Sequence, residues 1–319
     1  MPAITELQLS PFALDVAEGL STDGQKKISP RYFYDDLGSV LFEAITLLPE
    51  YGLTRAEERL LNSHAPDILS VTGPVSAVAE LGSGSGVKTR HILKAALRFE
   101  NQFIYHPIDV SAGALTACER QNSDLTTVAP VRGDWMDGLA EIARARVSDR
   151  PLLLLFLGSS IGNIARHDLS AFLQAVRAHL RSGDFFLLGI DLVKEVRRML
   201  AAYDDPTGVT SAFNLNLLGR MNRELDANFD LRAFSHEVRW DETERRIEMH
   251  LRSRQEQSVR IAALDSVFHF RNGETIWTES SHKFAESELS FLALENGFFP
   301  ASIWIDRDWP FAEALWQAA

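Results

Sequence analysis

One stretch constrains the fold of this chain more than any other: Ala79-Glu80-Leu81-Gly82-Ser83-Gly84-Ser85-Gly86-Val87-Lys88-Thr89. An apolar run, Val75 to Leu81, ends at three alternating glycines, and a helix-like segment from Lys88 to Arg98 follows. Strand, glycine turn and helix in that order let an α/β sheet bring its backbone against a nucleotide-like cofactor. Glycine permits the close approach and the turns that a Cβ would obstruct. The spacing is G-x-G-x-G, whereas the dinucleotide fingerprint is G-x-G-x-x-G; the residue five after Gly82 is Val87, which argues against a pyrophosphate ligand.

From about residue 75 to 192, strand-like and helix-like segments alternate. Val75–Leu81, Phe103–Val110, Thr127–Arg132, Leu152–Leu157 and Phe185–Asp191 read as strands. Leu93–Arg98, Ala112–Arg120, Leu139–Arg146 and Leu169–Leu180 have helical periodicity. A run such as LLLLF, apolar at every position, belongs in a sheet covered on both faces. The alternation predicts a parallel, doubly wound sheet, with its ligands along the carboxyl edge of the strands.

After Asp191 the pattern changes. Lys194–Tyr203 and Ser211–Leu225 read as helices, and Phe234–Trp240, Arg246–Arg252, Val259–Ile261 and Ser266–Phe270 as strands. Asn272-Gly273 is a hairpin-turn signal. Glu286–Asn296, Gly297 and Ser302–Ile305 read as helix, C-cap and a strand that returns the chain to the sheet. The expected fold is therefore α/β: a Rossmann-like sheet domain, 56–196 plus 282–319, with a second α+β domain, 8–55 plus 197–281.

A net charge of −12 opposes a nucleic-acid surface. A single cysteine, Cys118, forms no internal disulfide, which suits a reducing compartment, and no Cys/His cluster has zinc spacing. The N-terminus lacks the basic region of a signal peptide, and the longest apolar run, Pro151 to Leu157, is too short for a bilayer. A cytoplasmic monomer with no membrane or nucleic-acid partner and no metal is expected.

Three further loops carry candidate chemistry. Asp109 ends the second strand, where an acid can accept from ribose hydroxyls; the alternative is a helix cap shared with Ser111. Asp134 and Trp135 follow the third strand, placed to bond and stack on an adenine, or else to be a loop acid beside a core aromatic. Asn163, in Gly158-Ser159-Ser160-Ile161-Gly162-Asn163, offers a donor and an acceptor together; the alternative is a cap for Leu169–Leu180. The run Gly82 to Gly86 has Gly84 where a G-x-S-x-G elbow has its serine, and no H-E-x-x-H or P-loop spacing is present.

These loops together resemble a class I S-adenosylmethionine-dependent methyltransferase. More narrowly, the chain resembles the histidine Nα-methyltransferase family of ergothioneine biosynthesis, from about residue 30 onward. The likeness rests on Tyr32-Phe33-Tyr34-Asp35, Leu48-Pro49-Glu50-Tyr51, Thr54-Arg55-Ala56-Glu57, Glu80-Leu81-Gly82-Ser83-Gly84 and Gly162-Asn163. It continues through Ala202-Tyr203-Asp204-Asp205, Ala212-Phe213-Asn214, Asn222-Arg223-Glu224-Leu225, Arg246-Ile247-Glu248-Met249, Thr278-Glu279, Ser281 and Lys283-Phe284.

The resemblance implies that Gly82, Gly84, Lys88, Asp109, Asp134 and Trp135 hold S-adenosylmethionine. It implies that Asn163 and Tyr203 bind the amino acid's backbone groups, with Tyr34 near the amine. Tyr51, Glu279 and Ser281 would read the imidazole, and Met249 would line that pocket. The chain departs from the family's Tyr-Tyr-Pro-Thr-Arg pattern at Tyr51-Gly52-Leu53-Thr54-Arg55, which predicts a looser loop at Tyr51. It also has Ser280 and His282 where the pattern has Val and Cys.

The implied reaction is Nα-methylation of L-histidine, carried to the trimethylated product hercynine. A neutral imidazole is one donor and one acceptor, and a carboxylate and a hydroxyl two apart on a strand share a face. An indole has one donor and no acceptor, which disfavours the alternative of a tryptophan-like substrate. A cofactor-binding scaffold without catalysis is the non-enzymatic alternative.

Overall fold

The computed structural model describes residues 9–99 and 102–319. The chain divides into two compact units. One comprises Tyr51–Glu195, Glu242–Arg246 and Ser281–Ala319; the other comprises the described residues up to Glu50, Val196–Asp241 and Ile247–Ser280.

The first unit is built on one large sheet. Its spatial order is Phe298–Asp306, Phe311–Ala318, Phe185–Asp191, Leu152–Phe156, Ala77–Leu81, Ile104–Asp109 and Thr127–Val128. The strands from Ala77 to Asp191 pair in parallel. Phe311–Ala318 runs antiparallel to Phe185–Asp191, and Phe298–Asp306 antiparallel to Phe311–Ala318. Alternate residues of each central strand feed two separate cores. Leu152, Leu154 and Phe156 join Ala79, Leu81, Leu188 and Trp316 on one face. Leu153 and Leu155 join Val78, Leu187, Ile68 and Ile92 on the other. That double coverage is why these strands carry no polar alternation.

Two expectations need correcting, and one strand has no signal in the sequence. The segment Thr127–Arg132 is two short strands, Thr127–Val128 and Val131–Arg132, both paired with Ile104–Asp109. Extending the register sets Pro130 opposite Pro107, and neither has an N–H for the ladder. The C-terminal strand Phe311–Ala318 carries no strand signal in its sequence, FAEALWQA, which is rich in helix formers. Burial of nearly every residue between two neighbouring strands overrides that preference. Asn272-Gly273 does form a tight turn, with Gly273 at φ +84°, but it joins strands of different sheets rather than a hairpin.

The second unit carries a four-stranded sheet in the order Lys26–Lys27, Thr275–His282, Arg246–Ser253 and Phe234–Asp241. A separate hairpin pairs Gln257–Ile261 with Ser266–Phe270. Helices Asp36–Thr46 and Val209–Glu224 pack together, with Phe33 stacked on Phe213 at 4.5 Å. Among the described residues no helix is long and apolar enough to cross a membrane.

Candidate active site

The carboxyl edge of the parallel sheet gathers every loop that the sequence singled out in the first unit. Gly82–Gly86 follows Ala77–Leu81, Asp109 ends Ile104–Asp109, and Asp134-Trp135 follows Val131–Arg132. Gly158–Asn163 follows Leu152–Phe156. The sheet changes winding direction at Ala77–Leu81, flanked by Ile104–Asp109 and Leu152–Phe156, which is where such sheets bind ligands.

The glycine loop needs its glycines. Gly82, Gly84 and Gly86 lie at φ +69°, +53° and +67°, a region costly for a residue with a Cβ. A Cβ on Gly86 would lie 2.5 Å from Cys118 Sγ, and one on Gly82 would lie 3.2 Å from Trp135 Nε1. The Gly82 and Ser83 amides both donate to the Ile108 carbonyl, which ties the loop to the neighbouring strand.

Asp109 is not the helix cap. Ser111 takes that role by accepting from the Ala114 amide at 3.2 Å. Asp109 instead accepts from the Gly84 amide at 3.0 Å and the Ser111 amide at 2.9 Å, one per carboxylate oxygen. Each oxygen keeps a second lone pair, so the fixed carboxylate can still take ribose hydroxyls. Asp134 caps the helix Trp135–Ala145 through the Met136 amide at 3.0 Å. The half-buried Trp135 ring stands edge-on to Phe156 at 4.9 Å, with its indole N–H toward Gly82.

Lys88 donates to Glu57, and Glu57 also accepts from the Gly158 amide. Burial would lower the Lys88 pKa, but the Glu57 carboxylate outweighs it and raises it, so the ammonium stays charged. Glu57 therefore ties the helix Gly52–Thr72 to two loops of the carboxyl edge. No sequence signal assigned it a role, although it ends the Thr54-Arg55-Ala56-Glu57 stretch.

Asn163 lies in the turn Ser160–Asn163 and does not cap the next helix, whose cap position is Ala165. A Cβ on Gly162 would lie 2.8 Å from the His282 carbonyl and 3.5 Å from Ser281 Oγ, so this loop rests against Ser281. Ser281 Oγ accepts from Lys283 Nζ at 2.9 Å. Lys283 pairs with Asp191 at 2.8 Å, and Asp191 also takes Lys194 at 2.5 Å and the Trp309 indole N–H at 3.0 Å. Burial would raise the Asp191 pKa, but the two ammoniums overcome it and hold its carboxyl below the usual range.

Gly52 is not part of a loose loop. It is the first residue of the helix Gly52–Thr72, and a Cβ there would stand 2.1 Å from the Trp309 ring. The indole occupies the space of the missing side chain, and Tyr51 just ahead of it is buried. Gly52 and Gly162, the chain neighbours of Tyr51 and Asn163, thus rest against Trp309 and Ser281, which Asp191 and Lys283 connect. His282 is also buried, and desolvation lowers its pKa, so it stays neutral beside Ser281.

In the other unit the expected substrate residues hang on a second network. The Tyr203 carbonyl accepts from His236 Nε2 at 2.8 Å, so His236 Nδ1 must accept from the Asn214 amide at 2.9 Å. Asn214 Oδ1 accepts from Thr278, whose hydroxyl also approaches the Met249 carbonyl at 2.9 Å. The Glu279 carbonyl accepts from the Trp277 indole at 2.9 Å. Burial lowers the His236 pKa, in keeping with this neutral tautomer. Tyr34 packs edge-on against Phe42 and Phe213 at 5.6 and 6.0 Å. Asp205, just past Tyr203, accepts from the Val209 and Thr210 amides and holds the chain there.

A parallel sheet of this order, with a G-x-G-x-G loop at its switch point and an acid after the second strand, defines a class I methyltransferase. The chain belongs to the histidine-specific, S-adenosylmethionine-dependent methyltransferase family, whose description matches residues 12–318. It is 41% identical over 307 residues to the histidine N-alpha-methyltransferase of Mycolicibacterium smegmatis, covering 94% of this chain and 93% of that one. The protein of that name from Mycobacterium tuberculosis is 41% identical over 305 residues, with the same coverage. Ergothioneine biosynthesis protein 1 of Neurospora crassa is 27% identical over 330 residues, 92% of this chain and 37% of that longer one.

Proposed function

We propose that this chain methylates the α-nitrogen of L-histidine three times to give hercynine, the first step of ergothioneine biosynthesis. One observation carries the reading. Within a histidine-specific family, Glu279 and Ser281 alternate on the strand Thr275–His282, an acceptor and a donor on one face. Together they match the two ring nitrogens of a neutral imidazole. A phenyl ring would leave the Glu279 carboxylate unpaired, and an indole, a donor with no acceptor, would leave the Ser281 hydroxyl unpaired, at a cost of about 1–3 kcal/mol.

Bound S-adenosylmethionine supplies an electrophilic methyl group on a sulfonium. The chain's own residues bind and orient. The glycine loop with Gly82 and Gly84, Lys88, Asp109, Asp134 and Trp135 hold the cofactor. Asn163 and Tyr203 take the amino acid's backbone groups, Tyr51, Glu279 and Ser281 its ring, and Met249 lines the ring pocket. Tyr34 and Asn163 orient the amine so that its lone pair faces the methyl group. A desolvated amine beside these groups loses its ammonium proton more readily than in water. Positioning then supplies most of the acceleration, without a strong base. The chain acts as a cytoplasmic monomer on this reading.

The test is a competition assay with S-adenosylmethionine and equal histidine and tryptophan, read by mass spectrometry. Mono-, di- and trimethylated histidine should appear in succession. Methylated tryptophan with unmodified histidine would overturn the proposal, and cofactor binding without turnover would favour a scaffold.

A further inference from the structure

A neutral imidazole on Glu279 and Ser281 needs something to hold Ser281 as the donor, and the surroundings of Ser281 supply it. Lys283 is fully buried, and its ammonium lies 2.9 Å from Ser281 Oγ. An ammonium has protons to give and no lone pair to accept with, so at this contact Ser281 accepts. One lone pair of the hydroxyl is thereby taken, and its own proton cannot point at that ammonium. The geometry points to Lys283 as a positioning residue that fixes Ser281 as a hydrogen-bond donor, so that histidine enters with its ring neutral and the bare ring nitrogen facing Ser281. This inference rests on the assignment of Ser281 to the imidazole.

The charges around Lys283 support it. Asp191 at the end of Phe185–Asp191 is flanked by two ammoniums, Lys283 and Lys194, so the trio carries one net positive charge. The Arg166 guanidinium donates to the Lys283 carbonyl at 2.9 Å, and the Arg245 carbonyl accepts the Lys283 amide at 2.7 Å. Glu288 bridges the Arg166 and Arg245 guanidiniums, Asp306 accepts from the Trp309 amide, and desolvation lowers the His282 pKa. An imidazolium on Ser281 would set a like charge beside this buried cation, which disfavours the charged ring. Holding a lysine in such a place is costly unless it is paired, and Asp191 supplies the pairing. Trp309, resting on Gly52, donates to the same Asp191, so the departure at Gly52 belongs to the structure that holds Lys283.

The experiment compares kcat/KM for histidine with that for 1,2,4-triazolyl-3-alanine, whose ring stays neutral, between pH 5 and 8. In the wild-type protein the ratio should fall about tenfold per pH unit below the pKa of the histidine ring, near 6.5 or below. Lys283→Met, checked by thermal melting, should raise the histidine KM about tenfold, leave the S-adenosylmethionine KM unchanged and flatten the ratio. Lys283→Arg should restore the wild-type profile. The Lys283→Met loss should not add to that of Ser281→Ala, since both act through one hydroxyl. A pH-independent ratio in the wild type would overturn the inference, as would losses that add in the double variant or a parallel rise in both KM values. If Lys283→Met does not fold, Ser281→Ala decides: it must flatten the same ratio, and a retained slope overturns the inference. Failure of the wild type to methylate histidine at all would instead remove the proposed function.

Discussion

Gly86 and Glu279 mark two kinds of residue whose roles rest on different physics. Gly86 has a positive φ and a Cβ position 2.5 Å from Cys118 Sγ. Gly86→Ala is therefore expected to lower unfolding free energy by about 2–3 kcal/mol in urea titration, from backbone strain and overpacking together. Glu279→Gln should keep the fold and raise the histidine KM about tenfold or more with the S-adenosylmethionine KM unchanged, measured by initial rates. The glycines were legible in the sequence because positive φ restricts the residue type so strongly. Asp109 was legible by its place at a strand end. Asp191, Lys283 and Glu57 were not, since their partners are distant in sequence and a buried ion pair leaves no local pattern. Met249 and Tyr203 entered through family resemblance, and the structure adds the His236–Asn214–Thr278 network that ties their backbones together.

At the scale of elements, four central strands were legible from their apolar runs, and the helices between them from periodicity. The strand Phe311–Ala318 went unread because context outweighs its propensity, and Thr127–Arg132 was misread as one strand because two prolines break the ladder. The start of the helix Gly52–Thr72 is a third case, because the reason for Gly52 lies at Trp309, far along the chain. Gly52→Ala is expected to cost about 1–3 kcal/mol by displacing that ring. It should also raise the histidine KM more than the S-adenosylmethionine KM, because Trp309 holds Asp191. Thermal melts and initial rates on the one variant check both effects.

Across the whole molecule, two units divide the proposed work. The sheet unit carries the cofactor residues with Tyr51, Asn163 and Ser281, and the other carries Tyr34, Tyr203, Met249 and Glu279. The sheet unit also contains a buried acid that sets a pH dependence of stability. Burial raises the Glu80 pKa from 4.5 to about 7, against hydrogen bonds from Thr89 and Tyr105. The folded chain holds this proton more tightly than the unfolded chain, so the stability it contributes is complete below pH 4.5 and lost as pH rises through about 7. Glu80→Gln cannot ionise, and it should gain on the wild type across that window by on the order of 3 kcal/mol. Urea titrations at pH 5 and pH 8 measure the difference. The central claim is that Glu279 and Ser281 read the imidazole of a histidine whose amine is methylated. A crystal structure with S-adenosylhomocysteine and histidine tests it most directly. The account predicts the ring nitrogens on the Glu279 carboxylate and the Ser281 hydroxyl, with the amine beside Asn163; a ring bound away from both side chains would contradict it.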